Sequence, residues 1–155
     1  MSEYEMAVAQ ADSKRARQRM ADEYLSQASI IDLQIDEITE QIRTLRAMSI
    51  RITAVLSDMP KAGYVGNARF EDIINRITDK ENELHDETSR LLDKKEEISL
   101  MIKNVSKEYY QSVLKYHYID FLPWETVAEK MNVSTGHVYR LRREALEEFA
   151  KIMKR

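Results

Sequence analysis

A chain of 155 residues with 33% charged and 43% hydrophobic residues, three glycines, two prolines and a net charge of −3 suits long helices and coiled coils. The absence of cysteine excludes disulfides and thiolate chemistry. No window approaches about 18 consecutive apolar residues and the N-terminus lacks a signal-peptide core, so the expectation is a soluble cytoplasmic protein with no membrane partner.

Residues 3–20 are helix-compatible, rich in alanine and without a breaker. Lys14, Arg15, Arg17 and Arg19 form a short basic cluster in this stretch. A solvated helix face is the plainer reading, and a phosphate-contacting arm is the alternative.

From Ala28 a heptad seam runs through Ile31, Ile35, Ile38, Ile42, Leu45, Ser49, Ile52, Leu56 and Met59. It lasts about four heptads, or about 45 Å of helix. Pro60, Gly63 and Gly66 then interrupt it, which predicts a loop over residues 60–67 with Asn67 able to cap the next helix. The second seam runs through Phe70, Ile74, Ile77, Glu81, Leu84, Thr88, Leu91, Lys95, Ile98, Ile102 and Val105. Polar Glu81, Thr88 and Lys95 weaken it while specifying register and partner. A short loop between two such helices predicts an antiparallel coiled-coil hairpin. Apolar residues off the seams (Ile30, Leu33, Ile50 and Val55, then Ile73, Leu92, Leu100 and Met101) predict a second contact face. Self-association through the hairpin is its simplest use, although a heterologous partner accounts for the same residues.

Asn104 and Ser106 predict a break, followed by a helix over 107–119. Its Tyr110, Val113, Leu114, His117 and Tyr118 are expected to pack over two further helices, with Trp124 as a core anchor. Those two occupy residues 122–149. Val127, Ala128 and Met131 line one face of the first, which Pro123 suits as an opening residue. Asn132 tolerates the positive φ of a turn, and Ser134 is a good N-cap for the second helix. Val138, Leu141 and Ala145 line that helix's inner face. The fold class is therefore all-α: a long antiparallel helical hairpin (1–105) followed by a small three-helix, helix-turn-helix domain (106–155).

At about 100° per residue, the side of the last helix opposite its inner face carries Gly136, Tyr139, Arg140 and Arg143, flanked by Thr135 and His137. Such a stripe at the front of a second helix suits the major groove of double-stranded DNA. The two arginines fit guanine edges or phosphates equally well. Gly136 costs roughly 1 kcal/mol in a helix, which suggests a close backbone approach or tolerance in the first turn. Glu147 and Glu148 repel phosphate and confine the contact to the helix front. Protein-interaction domains share this pattern, and Arg142 and Arg143 also fit ordinary surface charges. Residues 1–105 hold 15 Lys/Arg against 20 Asp/Glu, a net of −5, and residues 106–155 hold 9 against 7, a net of +2. So small a basic excess predicts modest affinity per subunit and a benefit from a homodimer.

His85, His117 and His137 are scattered, so no metal site is expected. No Gly-rich phosphate loop and no G-x-S-x-G elbow occur, which leaves no cofactor, no catalytic residue and no enzyme reading.

The segment 'VLKYHYIDFLPWETVAEKMNVSTGHVYRLRREALEEF' resembles the promoter-reading C-terminal unit of bacterial sigma factors at Leu114, Tyr118, Val127, Ala128 and Val138. Over about residues 44–155 the chain is similar to phage and prophage proteins of unknown function, related in turn to the RinA and ArpU late-gene regulators. The resemblance implies a phage-encoded DNA-binding regulator without catalysis. Two positions depart from it: Phe121 stands where those proteins usually have Gly, and Pro123 where they usually have a capping Ser. A small-terminase-like packaging protein and a protein that binds host RNA polymerase are the rival expectations. A ring of eight or more subunits would mark the first, and polymerase capture without salt-sensitive DNA binding the second.

Overall fold

Neither proline nor glycine falls between Glu3 and Asp58, and this stretch folds as one 56-residue helix, α1 (Glu3–Asp58). A capping box starts it: the Ser2 N–H donates to Glu5 Oε2 at 3.0 Å, and the Glu5 N–H donates to Ser2 Oγ at 3.2 Å. This computed structural model describes the backbone of residues 2–58 and 64–154. The next helix, α2, spans Tyr64–Lys103. Asn67 therefore lies inside α2 and not at its cap, as do residues 64–66 of the expected loop, while its residues 60–63 and the seam residue Met59 lie outside the described residues. After a turn come α3 (Glu108–Leu114), which continues as a π-helical turn over Lys115–Ile119, then α4 (Trp124–Met131) and α5 (Thr135–Met153). No strand occurs among the described residues, and the chain is all-α.

The helices pack as two compact units, residues 32–93 in one and residues 1–31 with 94–155 in the other. In the first, Ile38 and Ile42 of α1 bury against Leu84 of α2, with Leu45 and Leu91 packed beside them. Arg46 donates to Glu81 at 2.6 Å, so a polar residue in the second seam is met by a cation from the opposite helix. Partners rise in number along α1 as they fall along α2, which makes the pair antiparallel. Off the seams, Leu33 is 65% and Ile50 71% exposed, and Val55 and Leu92 are exposed as well.

The second unit has the larger core. The seam extends upstream of Ala28 through buried Ala21 and Leu25, and Ile98, Ile102 and Val105 supply the α2 side. Gln111 Nε2 donates to the Val105 carbonyl at 2.6 Å and closes the end of α2. Val113, Leu114 and Tyr118 are buried on α3 and its π-helical turn, and Val138, Leu141, Ala145, Leu146 and Phe149 on α5. The expected division at 105/106 thus falls inside this unit. Its first 31 residues pack with the C-terminal helices, because Asp22 meets Tyr118 and Arg142, and Tyr24 lies 5.9 Å from Phe149.

Candidate nucleic-acid interface

Left-handed residues stand ahead of α4 and at its end, and the helix that follows, α5, carries the candidate residues. Asn132, at the end of α4, takes φ 56° and ψ 44°. The next N–H, of Val133, donates to the Ala128 carbonyl at 3.0 Å, the six-residue closure of a Schellman turn. Ser134 then caps α5, its Oγ accepting from the His137 N–H at 3.1 Å. Three residues therefore separate α4 from α5, and both turn residues hold the positions their chemistry predicts. Ahead of α4, Phe121 takes φ 58°, and Leu122 N–H donates to the Tyr116 carbonyl at 3.0 Å, a closure one residue longer that follows the π-helical turn over Lys115–Ile119. The residue expected as glycine thus sits in the conformation glycine adopts most easily. Pro123 is the N-cap residue, one place before the helix it was expected to open.

Trp124, the first residue of α4, is half-buried at the centre of an aromatic cluster. His117 stacks on it at 3.7 Å between ring centroids, Tyr118 meets it edge-on at 6.2 Å, and Arg142 lies 5.5 Å above its ring. The neutral His117 ring donates from Nδ1 to the Leu122 carbonyl at 2.8 Å, which leaves Nε2 as the bare nitrogen. Burial lowers the pKa of His117, opposed by that hydrogen bond, and the nearby Arg142 charge lowers it further. Tyr118 donates to Asp22 Oδ1, the atom that Arg142 Nη2 approaches at 3.4 Å. Burial and the Asp22 carboxylate both raise the pKa of Tyr118, so it stays a donor throughout the ordinary pH range. This cluster fixes α4 and α5 against α1.

Of the six candidates, Thr135, Gly136, Tyr139, Arg140 and Arg143 are exposed on the first turns of α5, and His137 is half-buried. Tyr139 is 37% exposed and lies 6.2 Å from Trp124 between centroids. Arg140 Nη2 is 3.3 Å from His137 Nε2, and since a guanidinium only donates, the imidazole accepts. A Cβ added to Gly136 would meet nothing within 4 Å, so no packing inside the protein requires a glycine there. Val138, Leu141 and Ala145, on the opposite side, are buried as the periodicity predicts. The arrangement offers an aromatic ring, two guanidinium forks and an open stretch of backbone on one exposed face.

The acidic residues farther along α5 are occupied by neighbours. Glu147 pairs with Arg17 of α1 at 2.6 Å, and Glu148 pairs with Lys151 at 2.9 Å. Lys14, Arg15 and Gln18 of α1 share a shallow cleft with Arg140, Arg143 and Glu144. Sequence reasoning placed the basic cluster on a helix but not beside α5, since the contact joins segments near opposite ends of the chain. The unit that holds this face carries 16 Lys/Arg against 14 Asp/Glu, so its positive character is a matter of local placement and not of excess charge.

Residues 64–150, more than half of the chain, match a protein-family model described as protein of unknown function (DUF1492). No curated protein and no solved structure matches the chain. No helix among the described residues is long and apolar enough to cross a membrane.

Proposed function

We propose that this chain, which belongs to the DUF1492 family, is a sequence-specific DNA-binding transcriptional regulator of a phage or mobile element. The supporting observation is the exposed stripe of Gly136, Tyr139, Arg140 and Arg143 on the opening turns of α5, directly after a tight turn from α4. In this reading α4 and α5 act as a helix-turn-helix. The front of α5 enters the major groove, the arginines bind guanine edges or phosphates, and open space at Gly136 lets the helix backbone approach the duplex.

A homodimer completes the proposal. The hairpin unit buries few large side chains while it leaves Leu33, Ile50, Val55 and Leu92 exposed, a pattern that a second apolar surface would relieve. Two copies present two recognition helices, which compensates for the modest charge of each. Host RNA polymerase is a further partner in this reading, reached from the promoter, and the site of action is the cytoplasm.

Selection of bound duplexes from random DNA at a stated salt concentration tests the assignment. Recovery of a shared, two-fold related site supports it, and recovery of unenriched sequences opposes it. Sedimentation of the full chain tests the assembly: a dimer is expected, whereas a ring of eight or more subunits would favour DNA packaging.

A further inference from the structure

The basic residues of α1 fall into two groups by what they touch. Arg17 is half-buried and ion-paired with Glu147, and it also donates to Ser13 Oγ at 2.9 Å, so its charge serves packing. Lys14 and Arg15, one turn earlier, are exposed and form no ion pair among the described residues. They lie across a shallow cleft from Arg140 and Arg143 of α5, which are likewise exposed and, among the described residues, without a carboxylate partner. Glu144, the acidic residue at this cleft, accepts from the Tyr110 hydroxyl at 3.0 Å, so its carboxylate is engaged on the α3 side.

Four cations from two helices meet a single carboxylate, Glu144, at this cleft, so positive charge is left in excess there and the cations repel one another. They stand so in a chain whose 27 Asp/Glu outnumber its 24 Lys/Arg, so carboxylates to neutralise them were not scarce. Polyanion binding is the state in which that repulsion is relieved. We propose that Lys14 and Arg15 of α1 join Arg140 and Arg143 of α5 in one phosphate-binding cleft, which grips the backbone of a DNA duplex alongside the recognition face.

This rests on the DNA-binding reading of α5 and adds a second element to it. While the α5 stripe faces the base edges, Lys14 and Arg15 stand to its side, where the phosphates of the groove wall pass. Contacts of this kind set register and affinity and carry no sequence information. The ion pairs Arg17–Glu147 and Arg142–Asp22 hold α1 in position for them.

The test compares full-length protein with the Lys14→Ala/Arg15→Ala variant on a labelled duplex, titrated at several salt concentrations. Each lost phosphate contact lowers the slope of log affinity against log salt by about 0.9, so the double variant should lose about two units of slope. Between about 50 and 200 mM salt it should then lose about tenfold less affinity than the parent, with its sequence preference unchanged. Arg76→Ala/Lys80→Ala, an equal charge change on α2, should leave the slope unaltered. If Arg140→Ala/Arg143→Ala flattens the slope but Lys14→Ala/Arg15→Ala does not, the cleft is overturned while DNA binding stands. Equal flattening by the α2 control also overturns it, because net charge then accounts for the effect. A parent protein without salt-sensitive binding removes the DNA reading and the cleft together.

Discussion

Arg17 on α1 donates to Glu147 on α5, with Nε at 2.7 Å and Nη2 at 2.6 Å from the same Oε1, across 130 positions of chain. Both side chains are largely shielded, and Glu147 Oε2 is buried without a hydrogen-bond partner among the described residues. Arg17→Ala would therefore strand a partly desolvated carboxylate. The expected loss is about 1–2 kcal/mol of stability, between an exposed ion pair and a buried one. Urea unfolding measures it, and an unchanged midpoint would count against this pair as the tie between the two helices.

Two non-glycine residues hold positive φ, Phe121 at 58° and Asn132 at 56°. Residues with a Cβ pay about 1–2 kcal/mol in this region, and asparagine pays less than most. Asn132→Ala should cost about 1 kcal/mol, whereas Asn132→Gly should stay within about 0.5 kcal/mol of the parent. Phe121→Gly relieves that strain but gives up the ring's contact with Lys95, whose Nζ lies 5.6 Å from the ring centroid, so the net change should stay within about 1 kcal/mol of the parent. Thermal melts of the three variants, ranked against the parent, check the order.

Gly136 separates stability from binding. With nothing within 4 Å of an added methyl, Gly136→Ala should stabilise α5 by about 0.5–1 kcal/mol through helix propensity alone. If the duplex approaches the backbone at this point, the same methyl should weaken DNA binding. A variant that melts higher and binds less tightly is the expected result. A gain in stability with unchanged affinity would mean that the glycine is merely tolerated.

The pH dependence of stability should carry a signature of His117. Burial against Trp124 holds its pKa below the ordinary value of 6.5, with Arg142 acting in the same direction and the Leu122 carbonyl and Asp22 opposing. The unfolded chain then takes up a proton that the folded chain resists. The contribution is fully present above the unfolded pKa and is lost as pH falls below it. Melting temperature should drop between about pH 7.5 and 5, and His117→Phe, which keeps a stacking ring, should show a smaller drop. An identical drop in both proteins would assign the effect to other groups.

Much of this architecture is written in local patterns. The seam residues Ile31, Ile38, Ile42, Ile77, Leu84 and Ile98 are buried at the spacing that heptads require, and Asn132 and Ser134 perform the turn and cap that their side chains favour. The Ser2–Glu5 capping box is equally local, a serine followed three places later by glutamate, yet the composition of residues 3–20 points only to helix and not to where it starts. What local pattern does not encode is partnership. Arg17, Asp22 and Lys14 resemble any solvated charges on a helix, and their placement beside α5 depends on how α1 packs against residues more than a hundred positions away. Asn67 shows the opposite failure: a good cap chemically, it lies inside the helix because α2 begins three residues earlier at Tyr64.

The most direct test of the account is the binding of Arg140→Ala and of Arg143→Ala, each as full-length protein, to duplexes selected by the parent. Both substitutions lie on the exposed face and should not lower the melting temperature. The account predicts that at least one costs about 1–3 kcal/mol of specific binding and relaxes preference at a defined base pair. Parent-like footprints and affinities from both variants would contradict it.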